Sequence, residues 1–502
     1  MYQYKIPSQF GNISVSDIIT SLEPEYIKLN KNGFADLLSC SLETTNQIKW
    51  AKDKIEHIKE IVWEEIKKAT NPYELIYAMP NMAVANIKPL SRSFFKMIEM
   101  INEFASGLID SNMLVSLHIA EGPGGFIEAT RYIRHLKGKG KDKGFHLNDI
   151  AFGITLMNKM DKMDKMDNLS NVDNIDKLDK PRNEIVKNIP AWKQSNTFLR
   201  NHPEVIISYG ADGTGNIYNP DNINHLADEI QEKCIIKYST YSSKINTTTL
   251  RTDKNSSNNM FATLETEILN ATPDAIPNAT PDATPDATPD INVLTMDIYD
   301  KPRANLQGRA VFITADGGFD YSIDYNYQEQ ASSKLIYSQI ITALKCQARG
   351  GLFICKIFDM NLFITVEMIY LVHLLYEEVI IYKPKTSRIA NSEKYLICIG
   401  FKGVQTELLE RLLVLLAEWN SSHLAGKTFN QLGIGTVMPV EFINELKRIN
   451  KIIVSNQISV INDIMNIYHN KLNLDTKWKK ENYKKQFENA IEWCRKYEIP
   501  HL

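Results

Sequence analysis

The stretch Leu114-Val-Ser-Leu-His-Ile-Ala-Glu-Gly-Pro-Gly-Gly-Phe126 limits what this chain can fold into more than any other. An apolar strand breaks abruptly into Gly122, Pro123, Gly124 and Gly125, and a helix begins at about Ile127. Glycines at such a turn let a ligand come close to the backbone, because no Cβ stands in the way. The helix beyond offers free N–H groups at its start. The arrangement suits a nucleotide-like cofactor lying across the top of a parallel sheet. Its spacing is neither G-x-G-x-x-G nor that of a Walker loop, which argues against dinucleotide or ATP phosphate binding. A tight turn that only closes a strand explains an isolated Pro-Gly-Gly about as often.

Around this turn the chain alternates strand and helix. Apolar runs at Ile150–Leu156, Glu204–Tyr209, Ala310–Ala315, Gly351–Phe358, Glu378–Tyr382 and Lys394–Phe401 predict strands. Asp221–Lys233, Gln328–Lys345 and Leu362–Tyr376 predict the helices between them. That alternation argues for an α/β fold with a mostly parallel sheet covered on both faces. Upstream, residues 1–45 show no clear period and read as irregular. Ile48, Ala51, Ile55, Ile58, Val62 and Ile66 recur at helical spacing, so Gln47–Ala69 reads as one amphipathic helix ending before Asn71-Pro72. A second helix follows Ser91 and carries Lys96. Beyond Gly403 the pattern is helical, at Thr406–Trp419, Val440–His469 and Lys477–Tyr497. The last carries Lys477, Lys479, Lys480, Lys484, Lys485, Arg495 and Lys496, as an RNA-facing helix or as the solvated side of a packing helix.

Two stretches stand outside the pattern. Lys159–Lys180 repeats a three-residue unit built on Lys-Met-Asp, and a period of three forms no apolar face. Ala271–Asp290 runs as five tetrapeptides of the Ala-Thr-Pro-Asp type, and most of Ser239–Asp290 is rich in Ser, Thr and Asn. Regular proline blocks helix and removes donors, so an extended, disordered tether is expected. The resulting division is an N-terminal helical extension over 1–70, a central unit over 71–403 and a C-terminal helical region over 404–502. Insertions at 157–200 and 239–300 interrupt the central unit.

Net charge is −3, so any nucleic-acid groove must be a local patch rather than a global basic field. The six cysteines form no C-x-x-C pair, and Cys355 and Cys398 sit inside strand-like runs, as buried thiols of a reducing compartment would. The first residues lack the apolar core of a secretory signal. The richest apolar run, Leu362–Tyr376, is interrupted by Glu367 and His373. A soluble intracellular protein with no membrane association is expected, in cytoplasm or nucleus. The bias toward Asn, Ile and Lys suggests an AT-rich genome, such as a protist or a giant virus; a viral protein would work in the host cytoplasm.

Three further places carry charge into apolar surroundings. Asp316 stands at the carboxyl end of the strand Ala310–Ala315, where α/β sheets place ligands and catalysts. Lys356 lies inside Gly351–Phe358, where a lysine is costly unless paired, functional or snorkelling from the strand end. A polar loop from Lys383 leads into the last strand with Glu393 at its mouth. Each alone fits an ordinary ion-pair residue; together they converge on one edge of one sheet.

In order, Lys96, Asp316, Lys356 and Glu393 resemble the Lys-Asp-Lys-Glu tetrad of the FtsJ-type RNA ribose 2′-O-methyltransferases. Pro123-Gly-Gly-Phe126 is similar to the first motif of that family. Asn71-Pro-Tyr-Glu, Phe152-Gly-Ile-Thr-Leu, Tyr209-Gly-Ala-Asp-Gly-Thr-Gly, Ala315-Asp-Gly-Gly-Phe, Cys355-Lys-Ile-Phe-Asp and Thr386-Ser-Arg-Ile-Ala-Asn-Ser-Glu narrow it further. They resemble the cap-specific mRNA 2′-O-methyltransferases of eukaryotes and large DNA viruses, over roughly Asn71 to Gly403 apart from the insertions.

The resemblance implies a class I, Rossmann-like methyltransferase fold with a seven-stranded, mostly parallel sheet and S-adenosyl-L-methionine as cofactor. It implies methyl transfer to the first transcribed nucleotide of capped mRNA, with the capping or transcription machinery as expected partners. Cofactor contacts would come from Ala120, Glu121, Gly122, Pro123, Gly124, Gly125, Phe126, Asn216 and Ile217. Asn326, Tyr327, Gln328 and Asn391 would face the RNA, with Ser387 and Arg388 nearby. Two departures stand out. Asn216 replaces an acidic residue of the family, with Asp212 four positions away. Glu121 replaces a small residue and is expected to touch the methionine ammonium. No G-patch, WW or guanylyltransferase-like segment is visible, so the resemblance is to a catalytic domain alone.

The implied chemistry needs an electrophilic methyl held in line with a ribose 2′-oxygen, and a neutral amine to accept the proton. Lys356 is the candidate base, its pKa lowered by burial and by the Lys96 cation, with Asp316 and Glu393 holding the lysines in place. No metal is required, and the sequence shows no metal-ligand cluster. Two alternatives stay open: the same chemistry on rRNA or an internal ribose, and a catalytically inactive RNA-binding paralogue. An intact tetrad speaks against the second, while Asn216 keeps it alive. A flavin or nicotinamide enzyme lacks its glycine fingerprint.

Overall fold

The computed structural model describes residues 2–8, 10, 13–56, 58–77, 83–111, 113–138, 149–156, 192, 195–235, 309–319, 325–469 and 476–502. The Lys159–Lys180 and Ala271–Asp290 repeats, with all of 239–300, lie outside the described residues.

The strands are β1 (Tyr2–Ile6), β2 (Glu25–Lys28), β3 (Val115–Ile119), β4 (Ile150–Ile154), β5 (Val205–Ser208), β6 (Ala310–Ala315), β7 (Gln347–Ile357), β8 (Tyr376–Lys383), β9 (Lys394–Phe401) and β10 (Lys427–Gln431). Eight of them form one sheet in the order β1-β8-β9-β7-β6-β3-β4-β5, and β10 pairs with β2. β3 to β7 pair in parallel, β9 lies antiparallel between β7 and β8, and β1 runs antiparallel to β8. Chain order reverses on either side of β3, between β4 and β6, and such a switch point opens a crevice beyond the strands' carboxyl ends. This is the expected Rossmann-like methyltransferase sheet, with one strand more than the seven expected.

The extra strand corrects the reading of residues 1–45 as irregular. β1 does alternate, with Tyr2, Tyr4 and Ile6 inward against Gln3 and Lys5, but over five residues only. Its pairing with Val379–Lys383 of β8, far off in the chain, makes it a strand. A short helix, α1 (Val15–Ser21), and β2 follow within the same stretch.

The longer helices are α2 (Leu42–Glu56), α3 (Glu60–Thr70), α4 (Ser93–Phe104), α5 (Gly125–Gly138), α6 (220–235), α7 (Gln328–Cys346), α8 (Phe363–Leu375), α9 (Thr406–Leu424), α10 (Val440–His469) and α11 (Thr476–Lys496). The single helix expected over Gln47–Ala69 is thus two. Ile48, Ala51, Ile58, Trp63 and Ile66 are all buried against Val454, Ile461, Ile464 and Met465 of the 30-residue α10. The apolar spacing runs on through the break, so periodicity alone could not reveal it.

Side chains alternate across the sheet. Val115, Leu117, Ile119, Cys355 and Leu396 face one core with α6 to α10. Phe312, Leu352, Ile354, Tyr395 and Ile397 face another with α4, α5 and α11. Burial on both faces explains why these strands read as continuous apolar runs. α8 is core on nearly every side, and among the described residues no helix is long and apolar enough to cross a membrane. Within the stretch expected as the first insertion, Trp192 is buried against Ile127, Ala151, Leu199 and Val205, and Asn196–Asn201 is helical.

Candidate active site

Topology gathers the charged residues singled out above. β6 and β7 run parallel and β9 returns antiparallel, so Asp316 just past β6, Lys356 near the end of β7 and Glu393 just before β9 share one sheet edge. Register pairs Lys356 with Tyr395, and α4, packed on that face, brings Lys96. Lys96 Nζ lies 2.7 Å from Glu393 Oε1. Lys356 Nζ donates to the Asp316 carbonyl at 2.7 Å and lies 3.2 Å from Asp316 Oδ1. The four side chains are 12–15% exposed, shielded from bulk water yet reachable from it.

Tyr395 joins the two pairs. Its hydroxyl lies 3.0 Å from Asp316 Oδ1 and 3.4 Å from Glu393 Oε1, its one hydrogen shared between the two carboxylates. Ser387 Oγ donates to the same Glu393 oxygen at 3.1 Å. Burial alone would push the Glu393 carboxyl up, but the Lys96 and Lys356 charges and the Lys96 hydrogen bond hold it at about 2.

The loop from Pro384 to Glu393 is fastened from several sides. Glu99, buried on α4, accepts from Tyr382 Oη at 2.7 Å and from the backbone N–H groups of Lys385 at 2.7 Å and Thr386 at 3.3 Å. Lys383 Nζ donates to the carbonyls of Asn391 and Glu393, both at 2.7 Å, and burial pulls this amine down to about 7. Glu74 holds Arg92 at 2.8 Å and Arg388 at 2.9 Å. Burial pushes the Glu74 carboxyl up, and the two arginines and Asn71 outweigh it to leave it at about 2.

Of the residues expected to face RNA, Arg388 is engaged by Glu74 and, at 3.5 Å, by Glu64, and Ser387 by Glu393. Asn391 is exposed on the loop. Asn326 Nδ2 donates to Asp53 of α2 at 2.8 Å, the Tyr327 ring stacks on Phe34 with centroids 3.9 Å apart, and Gln328 Oε1 accepts from Ser392 Oγ at 2.5 Å. Segment 326–328 is thereby held between α2 and the loop.

On the other side of the tetrad lies the glycine turn. Ala120 and Gly124 both have positive φ, +56° and +100°, and a Cβ on Gly124 would meet the Trp192 ring at 3.0 Å. A Cβ on Gly317 would run into the Gln339 side chain and sit 3.1 Å from the Ala120 Cβ, so the turn after β6 packs closely against the turn after β3. Glu121 is buried beside them, accepting from Thr314 Oγ1, with His118 Nδ1 3.3 Å from its Oε2. That oxygen has no hydrogen bond, and burial raises the carboxyl's pKa. Pro123 takes a hydrogen bond on its carbonyl from Ser195 Oγ. Phe126 and Ile217 are buried in the two cores and back the site. Asn216 Oδ1 accepts from Tyr218 N at 3.1 Å. Asp212 is tied into its own loop, accepting from Thr214 N at 2.9 Å and Asn222 Nδ2 at 3.0 Å.

Sequence reasoning missed Tyr395, Glu99 and Trp192. Tyr395 had a signal: two residues beyond Glu393 on a strand is the same face. Glu99, three residues after Lys96, likewise shares its side of α4. Trp192, just beyond a low-complexity run, had none.

The sheet order and its helices are those of a Rossmann-like methyltransferase fold. Residues 274–401 match the FtsJ-like methyltransferase family, with Asp316, Lys356 and Glu393 inside the matched range. Among similar proteins is the cap-specific mRNA (nucleoside-2′-O-)-methyltransferase 1 of Trypanosoma brucei brucei, 34% identical over 161 residues, covering 30% of this chain and 41% of the relative. That of Leishmania braziliensis is 34% identical over 163 residues, 31% of this chain and 39% of the relative. That of Danio rerio is 45% identical over 97 residues, 19% of this chain and 12% of the relative. The chain thus spans less than half the length of each of these relatives.

Proposed function

We propose that this chain is an S-adenosyl-L-methionine-dependent methyltransferase that modifies the ribose 2′-hydroxyl of the first transcribed nucleotide of capped mRNA. The observation that carries the reading is the pair of lysine–carboxylate contacts, Lys96–Glu393 and Lys356–Asp316, bridged by Tyr395 beside a glycine turn. Similarity to cap-specific mRNA 2′-O-methyltransferases supports capped RNA as the substrate, and the intact tetrad weighs against an inactive paralogue.

The cofactor site is tested by what the turn can hold. The turns after β3 and β6 pack closely on one another, and the unbonded Glu121 oxygen beside them suits an ammonium group. Ala120 to Gly125, with Asn216, would hold the cofactor, while Phe126 and Ile217 support the turn from behind. Bound there, S-adenosyl-L-methionine supplies an electrophilic methyl group.

The protein's residues do the rest. Lys356 takes the 2′-proton as the oxygen attacks, after Asp316 and its carbonyl have oriented the amine. Lys96 stays with Glu393 and provides positive charge where the oxygen becomes anionic. Asn326 and Asn391, from two elements fastened on α2 and on Lys383, position the RNA. Transfer of labelled methyl to capped and uncapped RNA, with nucleoside mapping, tests the proposal. Label at the first 2′-oxygen of capped RNA alone is expected; label on an internal or ribosomal ribose would overturn the substrate assignment.

A further inference from the structure

The loop that carries Ser387 and Asn391 has a second side. There a pocket of about 200 Å³ opens between the loop, β1 and α10, with Tyr2, Pro384, Ile389 and Ile453 among its walls and Asn391 and Asn456 at its lining. It shares structure with the tetrad. Ser387 lines it and holds Glu393 at 3.1 Å, and Lys383 lines it and holds the Glu393 carbonyl at 2.7 Å. Whatever fills the pocket therefore lies one side chain from the Lys96–Glu393 pair.

Size and chemistry narrow the occupant. The volume is below the roughly 300–1,000 Å³ of a site for a whole drug-sized ligand, and suits one flat ring system. Its walls are largely aliphatic and aromatic, with side-chain amides for an edge. Lys383 is the one cation among the lining residues, and its amine already serves two backbone carbonyls. A phosphate or carboxylate would find no free counter-charge there, whereas a neutral heterocycle with edge donors and acceptors would. Gln457 of α10 also lines the pocket and donates to the Ala390 carbonyl at 3.0 Å, so the helix that forms one wall fixes the loop opposite.

We propose that this pocket receives one nucleobase of the substrate RNA, from the nucleotide being methylated or its immediate neighbour. The inference rests on the RNA 2′-O-methyltransferase reading above. It gives α10, which lies outside the matched range 274–401, a direct part in gripping the substrate.

The test uses the full chain, short capped RNAs with an abasic ribose placed in turn at the target nucleotide and its neighbours, and the variants Asn456→Trp and Ile389→Trp. One abasic position should raise KM for RNA about tenfold or more, the size of a lost base contact. Each tryptophan variant should raise KM similarly on intact RNA, keep its melting temperature and cofactor affinity, and lose nothing further on the sensitive abasic RNA. Unchanged KM in both folded variants, or losses that simply add, would overturn the pocket. Fluorescence anisotropy with labelled intact and abasic RNA reads binding apart from turnover. Equal affinities at every position would remove the pocket and leave methyl transfer standing. Base-dependent affinity, abolished by the variants, without any transfer would uphold the pocket and remove the activity.

Discussion

The Tyr395 hydroxyl stands 3.0 Å from Asp316 Oδ1, reaching from β9 past the end of β7 to the end of β6. Because the same hydroxyl reaches Glu393 at 3.4 Å, it ties the two lysine–carboxylate pairs into one unit. Its ring is buried in the core shared with α4, so the position of the oxygen is set by packing as well as by hydrogen bonds.

Removing that hydroxyl should loosen the tetrad without emptying the core. Tyr395→Phe is expected to lower kcat about fivefold to thirtyfold, the factor for roughly 1–2 kcal/mol of lost hydrogen bonding to charged groups. Cofactor affinity by calorimetry should stay within about twofold. An unchanged kcat would show that the carboxylates hold the lysines without it.

Glu121 gives a handle on the cofactor alone. Its carboxylate is buried, and Oε2 lacks a hydrogen bond. Glu121→Gln should weaken S-adenosyl-L-methionine about tenfold to a hundredfold, as loss of a charged hydrogen bond does. The melting temperature of the cofactor-free protein should hold or rise, because a costly buried charge is gone. Equal affinity in the variant would exclude Glu121 as the ammonium's partner.

Glu74 predicts the acid limb of stability. Its folded pKa, about 2, lies below the ordinary 4.5, so its contribution is present above pH 4.5 and is lost as pH falls toward 2. Glu74→Gln should cost about 2 kcal/mol near neutrality through loss of the Arg92 and Arg388 contacts. The gap between wild type and variant should close over that acid window in urea titrations. A gap independent of pH would mean that the ion pairs contribute little.

How much of this was legible in the sequence depends on where each signal came from. Ala310–Ala315 and Lys394–Phe401 appear as strands with the expected bounds, and Val440–His469 as the expected helix, because long apolar patterns report local structure directly. Lys356 stood out because charge inside an apolar strand is costly, and Asp316 and Glu393 because they lie at strand ends where α/β sheets place ligands. β1 was not, since its identity comes from pairing with Val379–Lys383 across the whole chain. The α2–α3 break was hidden by apolar spacing that suits the packing on α10 of both pieces. Nor could spacing show that Asp212 and Arg388, suited to ligands by type, are taken up by Asn222 and Glu74.

The central claim is that Lys356 accepts the 2′-proton, and the most direct measurement is single-turnover methyl transfer to capped RNA by Lys356→Arg across pH. Arginine keeps a cation near Asp316 but holds its proton at any usable pH, so it cannot act as a base. If Lys356 is the base, the rate falls by about 10²–10⁴-fold in both Lys356→Arg and Lys356→Ala, with cofactor affinity near wild type. The wild-type rate should rise with pH until the amine is neutral. Substantial transfer by the arginine variant, together with a flat wild-type pH profile, would contradict the claim and leave Lys356 as a charge that only steadies the substrate.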